Sequence, residues 1–296
     1  MRLKAPSRGL GVETYYIFLV LVIMNKTIVL LTGASAGIGK ATAELLMKKG
    51  VIVYGASRSG GEQQKDKLSQ GEIIPVKMDV NSESDIQQVV KHIIDTHGYL
   101  NAVIANAGNG IAGAIEETSI DEVRYQFETN FFGTVKTIQA CIPVFHAQGY
   151  GKIITVSSLA GVIPIPFQTF YSSVKAALML FMNGLAMELK PFGIQCCTIL
   201  PGDTKTDFTS ARKYTQASQN ENSFYYQTMK HSVGRMERDE QNGMSAEAVA
   251  RPIVKQILNK RMHTFYVTGI LNQFYYHLFH VLPTDWRLWI IAKIYG

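Results

Sequence analysis

Tyr171 and Lys175 stand four residues apart at the start of a segment with helical patterning, so both side chains project from one face. A phenol with an unperturbed pKa of about 10 is a poor acid or base at neutral pH. A neighbouring ammonium favours its anion and lowers that value, as proton transfer to or from a substrate oxygen requires. The same pair also arises on the solvated face of an amphipathic helix, and spacing alone does not choose between the two. Further upstream, Thr32-Gly33-Ala34-Ser35-Ala36-Gly37-Ile38-Gly39 sets three glycines between an apolar run and a helical pattern. Glycines there permit a tight turn, let backbone N–H groups approach a phosphate and seat the helix close to a sheet. A merely flexible turn would use the same residues, but the position of this one, opening the first helix after the first strand, favours a dinucleotide site.

The elements that must position these residues follow from hydrophobic periodicity. Thr27 to Leu31 is a short, β-branched apolar run and reads as a buried strand, followed by a helix from Gly37 to Lys49 with Gly50 as its C-cap. Strands are expected at Val51 to Ala56, Ile73 to Met78, Ala102 to Ala105, Lys152 to Val156 and Ile194 to Leu200. Helices are expected from about Ser84 to Thr96, over a long and broken stretch from Ser119 to Val144, from Tyr171 to Leu189, and from Met244 to Asn259 with Ser245 as N-cap. Apolar strands alternating with helices predict an α/β fold: one doubly wound, Rossmann-type parallel sheet with helices on both faces, in a single domain. Ligands of such sheets bind beyond the carboxyl ends of the strands, where the glycine turn and Ser158 fall.

The glycine turn, Asn106-Ala107-Gly108 after the fourth strand, Ser158 after the fifth and Tyr171-Ser172-Ser173-Val174-Lys175 thirteen residues on stand in a fixed order. Together they resemble the short-chain dehydrogenase/reductase family, of the type with T-G-x-x-x-G-x-G and Y-x-x-x-K motifs, over about Thr27 to Gly202 and more loosely Ser245 to Val267. The resemblance implies an NAD(P)-dependent oxidoreductase that interconverts a carbonyl and an alcohol. It implies that Ser158, rather than Ser157, and Tyr171 hold the substrate oxygen, and that Lys175 lowers the tyrosine pKa and holds the nicotinamide ribose. It further implies that Asn130 supports a water-linked proton path by way of the lysine; taken alone, Asn130 reads equally as a polar residue that bends a helix. Gly33, Ser35, Gly37, Ile38 and Gly39 would cradle the dinucleotide, with Asp79 and Val80 at the adenine, Asn106, Ala107 and Gly108 beside the turn, and Pro201, Gly202 and Thr204 closing over the nicotinamide. Asp79 would otherwise serve as a cap for the following helix. At the end of the second strand an acid selects NAD and a base selects NADP. Gly55-Ala56-Ser57-Arg58 carries the base, so NADP(H) is expected over NAD(H), although Ala36 lacks the second basic residue of many NADP-preferring relatives. Homodimers or homotetramers are common in the family. A non-catalytic nucleotide-binding regulator of the same fold is the alternative, and the intact set of Asn130, Ser158, Tyr171 and Lys175 speaks against it.

The substrate side is read from composition. Leu159 to Phe170 is almost wholly apolar, which suggests a lipophilic substrate of steroid-like, retinoid-like or long-chain keto-lipid kind. Asp203 to Gly243 is polar and reads as a lid with short helices; its Lys205, Arg212, Lys213 and Lys230 read first as a solvated face. From residue 270 to 296 the chain is aromatic, with Phe274, Tyr275, Trp286 and Trp289 among His277, His280, Arg287 and Lys293, the pattern of a segment at a membrane surface, a subunit contact or a cover for the substrate mouth. The 296 residues carry a net charge of +6, but basic and acidic residues are interleaved, so nucleic-acid binding is not expected. Three cysteines without paired spacing, two of them adjacent in one apolar strand, give neither a zinc site nor a disulfide framework and point to a reducing, cytoplasmic setting. The apolar run Tyr15 to Met24, preceded by Arg2, Lys4 and Arg8, would reach only about 15 Å as a helix, half of a bilayer core. Residues 1–24 are read as an extension, either a misassigned start, an anchor or an added helix, ahead of a catalytic domain at 25–269.

Overall fold

Residues 26–296 are described by the computed structural model, so the apolar run at Tyr15 to Met24 lies outside the described residues. Strand β1 (Ile28–Thr32) leads through the glycine turn into α1 (Gly37–Met47). There follow β2 (Ile52–Ser57), a two-residue edge strand β3 (Gln64–Lys65), β4 (Glu72–Lys77) and α2 (Glu83–His97). Next come β5 (Ala102–Ala105), the short β6 (Ile111–Ala112), α3 (Ile120–Phe127), a π-helical turn at Glu128–Phe132 and α4 (Gly133–Gln148). Strand β7 (Gly151–Val156), α5 (Thr169–Leu189) and β8 (Ile194–Leu200) complete the central repeat. The remainder contains β9 (Thr204–Lys205), β10 (Lys213–Tyr214), α6 (Tyr226–Gln241), β11 (Met244–Ser245), α7 (Ala246–Leu258), β12 (Phe265–Val267), α8 (Ile270–Val281) and α9 (Thr284–Tyr295).

The main sheet has the order β12-β8-β7-β5-β1-β2-β4-β3, and every pairing is parallel except that of β3 at the edge. Its topology reverses at β1, where β5 and β2 flank the strand on either side, and that reversal opens the crevice in which such folds bind ligands. The alternation of side chains explains the two-sided core. Ile28 and Leu30 of β1 pack with Ile86 and Ile93 of α2, Phe145 of α4 and Met182 of α5. Val29 and Leu31 face the other way, onto Leu46 of α1 and Ile253 and Ile257 of α7. Adjacent Cys196 and Cys197 follow the same rule, one in each layer, and both are free and buried.

The long stretch expected as a broken helix is broken by the π-helical turn between α3 and α4, and Asn130 sits inside it. One extra residue in a turn displaces the helix register, a device often found at functional sites. Among the described residues one helix, Thr169–Phe192, is long and apolar enough to cross a membrane by length and composition. It is the helix that carries Tyr171 and Lys175 and packs on β8.

Candidate active site

The nucleotide turn is held by the strand beside it. Gly33 adopts φ 68° and Gly37 φ 52°, both in the left-handed region. Gly33 and Ala34 donate their N–H groups to the Ala56 carbonyl, and Asn106 Nδ2 donates to the carbonyls of Thr32 and Gly33 at 3.1 and 3.2 Å. Thr32 Oγ1 in turn accepts from the N–H groups of Asn106 and Ala107, both at 3.0 Å. A methyl group at Gly39 would lie 2.0 Å from the Gly33 carbonyl oxygen, so helix and turn touch backbone to backbone. Helix α1 has no side-chain cap at Ala36 and no acid in its first turn, which leaves its N-terminal N–H groups and dipole available to an anion.

A cavity of about 1250 Å³ runs from this turn across the carboxyl ends of the strands. Gly33, Ser35, Gly37 and Ile38 line it, with Arg58 from the end of β2, Asp79 and Val80 from the end of β4, and Asn106, Ala107 and Gly108 from the end of β5. Ser158, Tyr171, Lys175, Pro201, Gly202 and Thr204 line it too. Gly39 lies behind the wall, against Gly33. Its size, the uncapped helix end and the close backbone approaches fit a dinucleotide with room for a substrate beside it. Asp79 is not a helix cap: that place belongs to Ser82, whose hydroxyl accepts from the Asp85 N–H, while Asp79 Oδ1 accepts from the N–H of Asn81 at 2.9 Å.

The two serines after β7 divide their work. Ser157 Oγ donates to the Lys175 carbonyl at 2.8 Å and is buried, whereas Ser158 Oγ accepts from the Ala160 N–H at 3.1 Å and lines the cavity together with Tyr171. Lys175 Nζ donates to the Val156 carbonyl at 3.0 Å and lies 5.5 Å from the centre of the Tyr171 ring. Burial pushes Tyr171 up to about 12, a rise that the nearby Ser158 hydroxyl opposes, and pushes Lys175 down to about 8. The direction for Tyr171 is opposite to the one expected from a neighbouring ammonium, because loss of solvent is the largest influence on the phenol and the Glu240 carboxylate pushes it the same way.

Asn130 stands behind the cavity wall. Its Oδ1 accepts from the Asn109 N–H at 2.7 Å and its Nδ2 donates to the Asn109 carbonyl at 2.8 Å, so both ends of the amide are tied to the backbone that follows Gly108.

Over the tyrosine lies a layer of which sequence reasoning named only Arg212, and not in this role. Phe208 packs against the Tyr171 ring, centroids 5.7 Å apart. Arg212 stacks 5.9 Å from Phe208 and pairs with Glu237 and Glu240 of α6. The expectation of a solvated Arg212 is therefore corrected: its side chain has no solvent exposure, because two carboxylates and an aromatic face replace water around it. Phe279, Ile291 and Tyr295 of α8 and α9 close the cavity on the far side. The only signal for these residues was an apolar or aromatic type inside otherwise polar or terminal segments.

Such a cavity, set at the reversal point of a parallel sheet, defines a nucleotide-binding α/β enzyme. A family model described as short chain dehydrogenase matches residues 27–217. A 3-ketodihydrosphingosine reductase of Bacteroides thetaiotaomicron is 38% identical over 237 residues, which cover 80% of this chain and 86% of that protein. A short-chain dehydrogenase structure from Streptomyces avermitilis superposes with a TM-score of 0.72 at 26% identity, covering 87% of this chain and 94% of the other. One from Burkholderia phymatum, in complex with NAD, does so with a TM-score of 0.73 at 20% identity over 86% and 93%, a likeness of fold alone. The chain belongs to the short-chain dehydrogenase family and is an NAD(P)-dependent oxidoreductase of carbonyl and alcohol groups.

Proposed function

We propose that the enzyme is an NADP-dependent reductase of a lipophilic ketone. The observation that carries the reading is a hydroxyl pair, Ser158 and Tyr171, facing one cavity whose other walls include Ile163, Ile165, Phe208, Phe279 and Ile291. The relative at 38% identity, named a 3-ketodihydrosphingosine reductase, supports the lipid-like class. When bound, the dinucleotide supplies the hydride. Gly33, Ser35, Gly37 and Ile38 would hold its phosphates with the first-turn N–H groups of α1, Arg58 would hold a 2′-phosphate, Asp79 and Val80 would meet the adenine, and Pro201, Gly202 and Thr204 would meet the nicotinamide end. Ser158 and Tyr171 donate hydrogen bonds to the ketone oxygen, which polarises the carbonyl and fixes its orientation. Tyr171 then gives its proton to that oxygen as charge develops there, and the Lys175 ammonium stabilises the phenolate left behind. Asn130 positions the Gly108 backbone and, through it, the lysine. Copies associate as a dimer or tetramer, a reading supported by Leu180 and Met187, exposed seven residues apart on one face of α5.

NADPH consumption measured against short water-soluble ketones, steroid ketones and acyl-chain ketones tests the substrate class. The expected result is a kcat/KM that rises by at least about tenfold from a short ketone to one with several more methylenes, at roughly 0.8 kcal/mol per buried methylene. A kcat/KM independent of apolar size overturns it.

A further inference from the structure

Helices α8 and α9 each have two faces of different kinds. The inner faces line the catalytic cavity: Leu278 and Phe279 from α8, Ile290, Ile291 and Ile294 from α9. The outer faces are apolar and bare. On α8, Phe274 and Val281 stand seven residues apart on one face with exposures of 59% and 79%, and Ile270, at the rim where that face meets the cavity, is 87% exposed. On α9, Trp286 and Trp289 are 65% and 62% exposed and stand in line with Lys293, four residues beyond Trp289. Lone exposed apolar residues are ordinary on protein surfaces, but a run of aromatic and branched side chains on two consecutive helices is not. Charge in this segment leans positive: Arg287 and Lys293 are opposed by Asp285 alone.

We propose that the outer faces of α8 and α9 dock on an anionic lipid bilayer and set the catalytic cavity against the membrane. Indole rings with adjacent cations match the boundary between headgroups and acyl chains, where an aromatic ring is half buried and a lysine reaches the phosphates. A second copy is the poorer occupant, because a two-fold contact sets a patch against itself and here brings cations to cations. The two helices form the wall between the membrane and the cavity, so an acyl-chain substrate passes from the bilayer to Tyr171 without crossing water. That last step rests on the lipophilic-substrate reading, whereas docking is scored with no substrate present and fails or stands separately.

The chain has two tryptophans, Trp286 and Trp289, so intrinsic emission reports on α9 alone. Vesicles of phosphatidylcholine with phosphatidylglycerol, added to the full-length protein, are expected to shift that emission to the blue, and brominated acyl chains are expected to quench it. Partitioning measured by co-sedimentation is expected to weaken by roughly fivefold for each headgroup-facing cation when phosphatidylglycerol is omitted. The full-length variant Phe274→Ser/Trp286→Ser/Trp289→Ser, none of whose positions lines the cavity, is expected to sediment at least about tenfold less while turning over a water-soluble ketone at the wild-type rate. Emission unmoved by vesicles overturns the proposal. So does a variant that sediments like the wild type, which would assign binding to residues 1–25, and so does a blue shift that follows protein concentration without vesicles, which would assign the surface to a second copy.

Discussion

At the scale of single residues, chemistry turns on protons that burial has moved. With Tyr171 raised to about 12, the phenol keeps its proton across the neutral range, which suits a donor to a ketone and handicaps the reverse reaction, where the group must start as a base. Lys175, lowered to about 8 by burial, carries its charge below that pH and loses it above. The kcat/KM for ketone reduction, which reports the free enzyme, is therefore expected to be level below about pH 8 and to fall above it, while alcohol oxidation climbs with pH. Tyr171→Phe should remove the proton donor, with a loss of at least about 10²-fold in kcat and near-normal NADPH affinity by fluorescence titration. Arg58 tests cofactor choice: Arg58→Asp should weaken NADPH by roughly 10- to 100-fold, the worth of a charge-assisted hydrogen bond, and favour NADH in steady-state kinetics. An unchanged ratio would mean that another group reads the 2′-phosphate.

At the scale of elements, the segment after β8 works as a clamp on the site. Strand β9 pairs with β11, which closes the two ends of the polar stretch on each other, and β10 pairs with β6, which ties its interior to the body of the molecule. Between those anchors, Arg212 ties α6 to Phe208 and so to the Tyr171 ring. Removing the guanidinium leaves Glu237 and Glu240 without their partner in a mostly buried place. Arg212→Ala should therefore cost about 3 kcal/mol, roughly 6–10 °C in Tm by calorimetry, and reduce kcat as Phe208 loses its support. Arg212→Met combined with Glu237→Gln and Glu240→Gln should recover most of that stability, because no unpaired charge remains. Most periodic elements were legible in the sequence to within a residue or two: β8 falls at Ile194–Leu200 as read, and α2 spans Glu83–His97 against an expected Ser84 to Thr96, whereas α4 runs to Gln148, four residues past the expected Val144. The clamp was not legible, since two-residue strands and an ion pair between residues 25 and 28 positions apart leave no local pattern.

At the scale of the whole molecule, one sheet gathers groups from seven strand ends and from both terminal helices into a single cavity. Light scattering on the purified protein should give the mass of two or four chains, and Leu180→Lys/Met187→Lys should halve it or return it to that of the single chain while sparing the cavity. The sequence by itself determined the order of strands and helices, the glycine turn, the tyrosine and lysine on one helix face and the basic residue after β2. These are local: each depends on periodicity or on spacing within a few residues, which survive in a one-dimensional record. Tertiary structure alone decided that Ser157 is committed to the Lys175 carbonyl, that Asn130 supports the wall from behind, that Arg212 is buried, that α8 and α9 close the mouth, and that Tyr171 gains rather than loses proton affinity. Each of these depends on what surrounds a side chain from distant parts of the chain, and desolvation, the largest influence on Tyr171 and Lys175, exists only once the chain has folded around them.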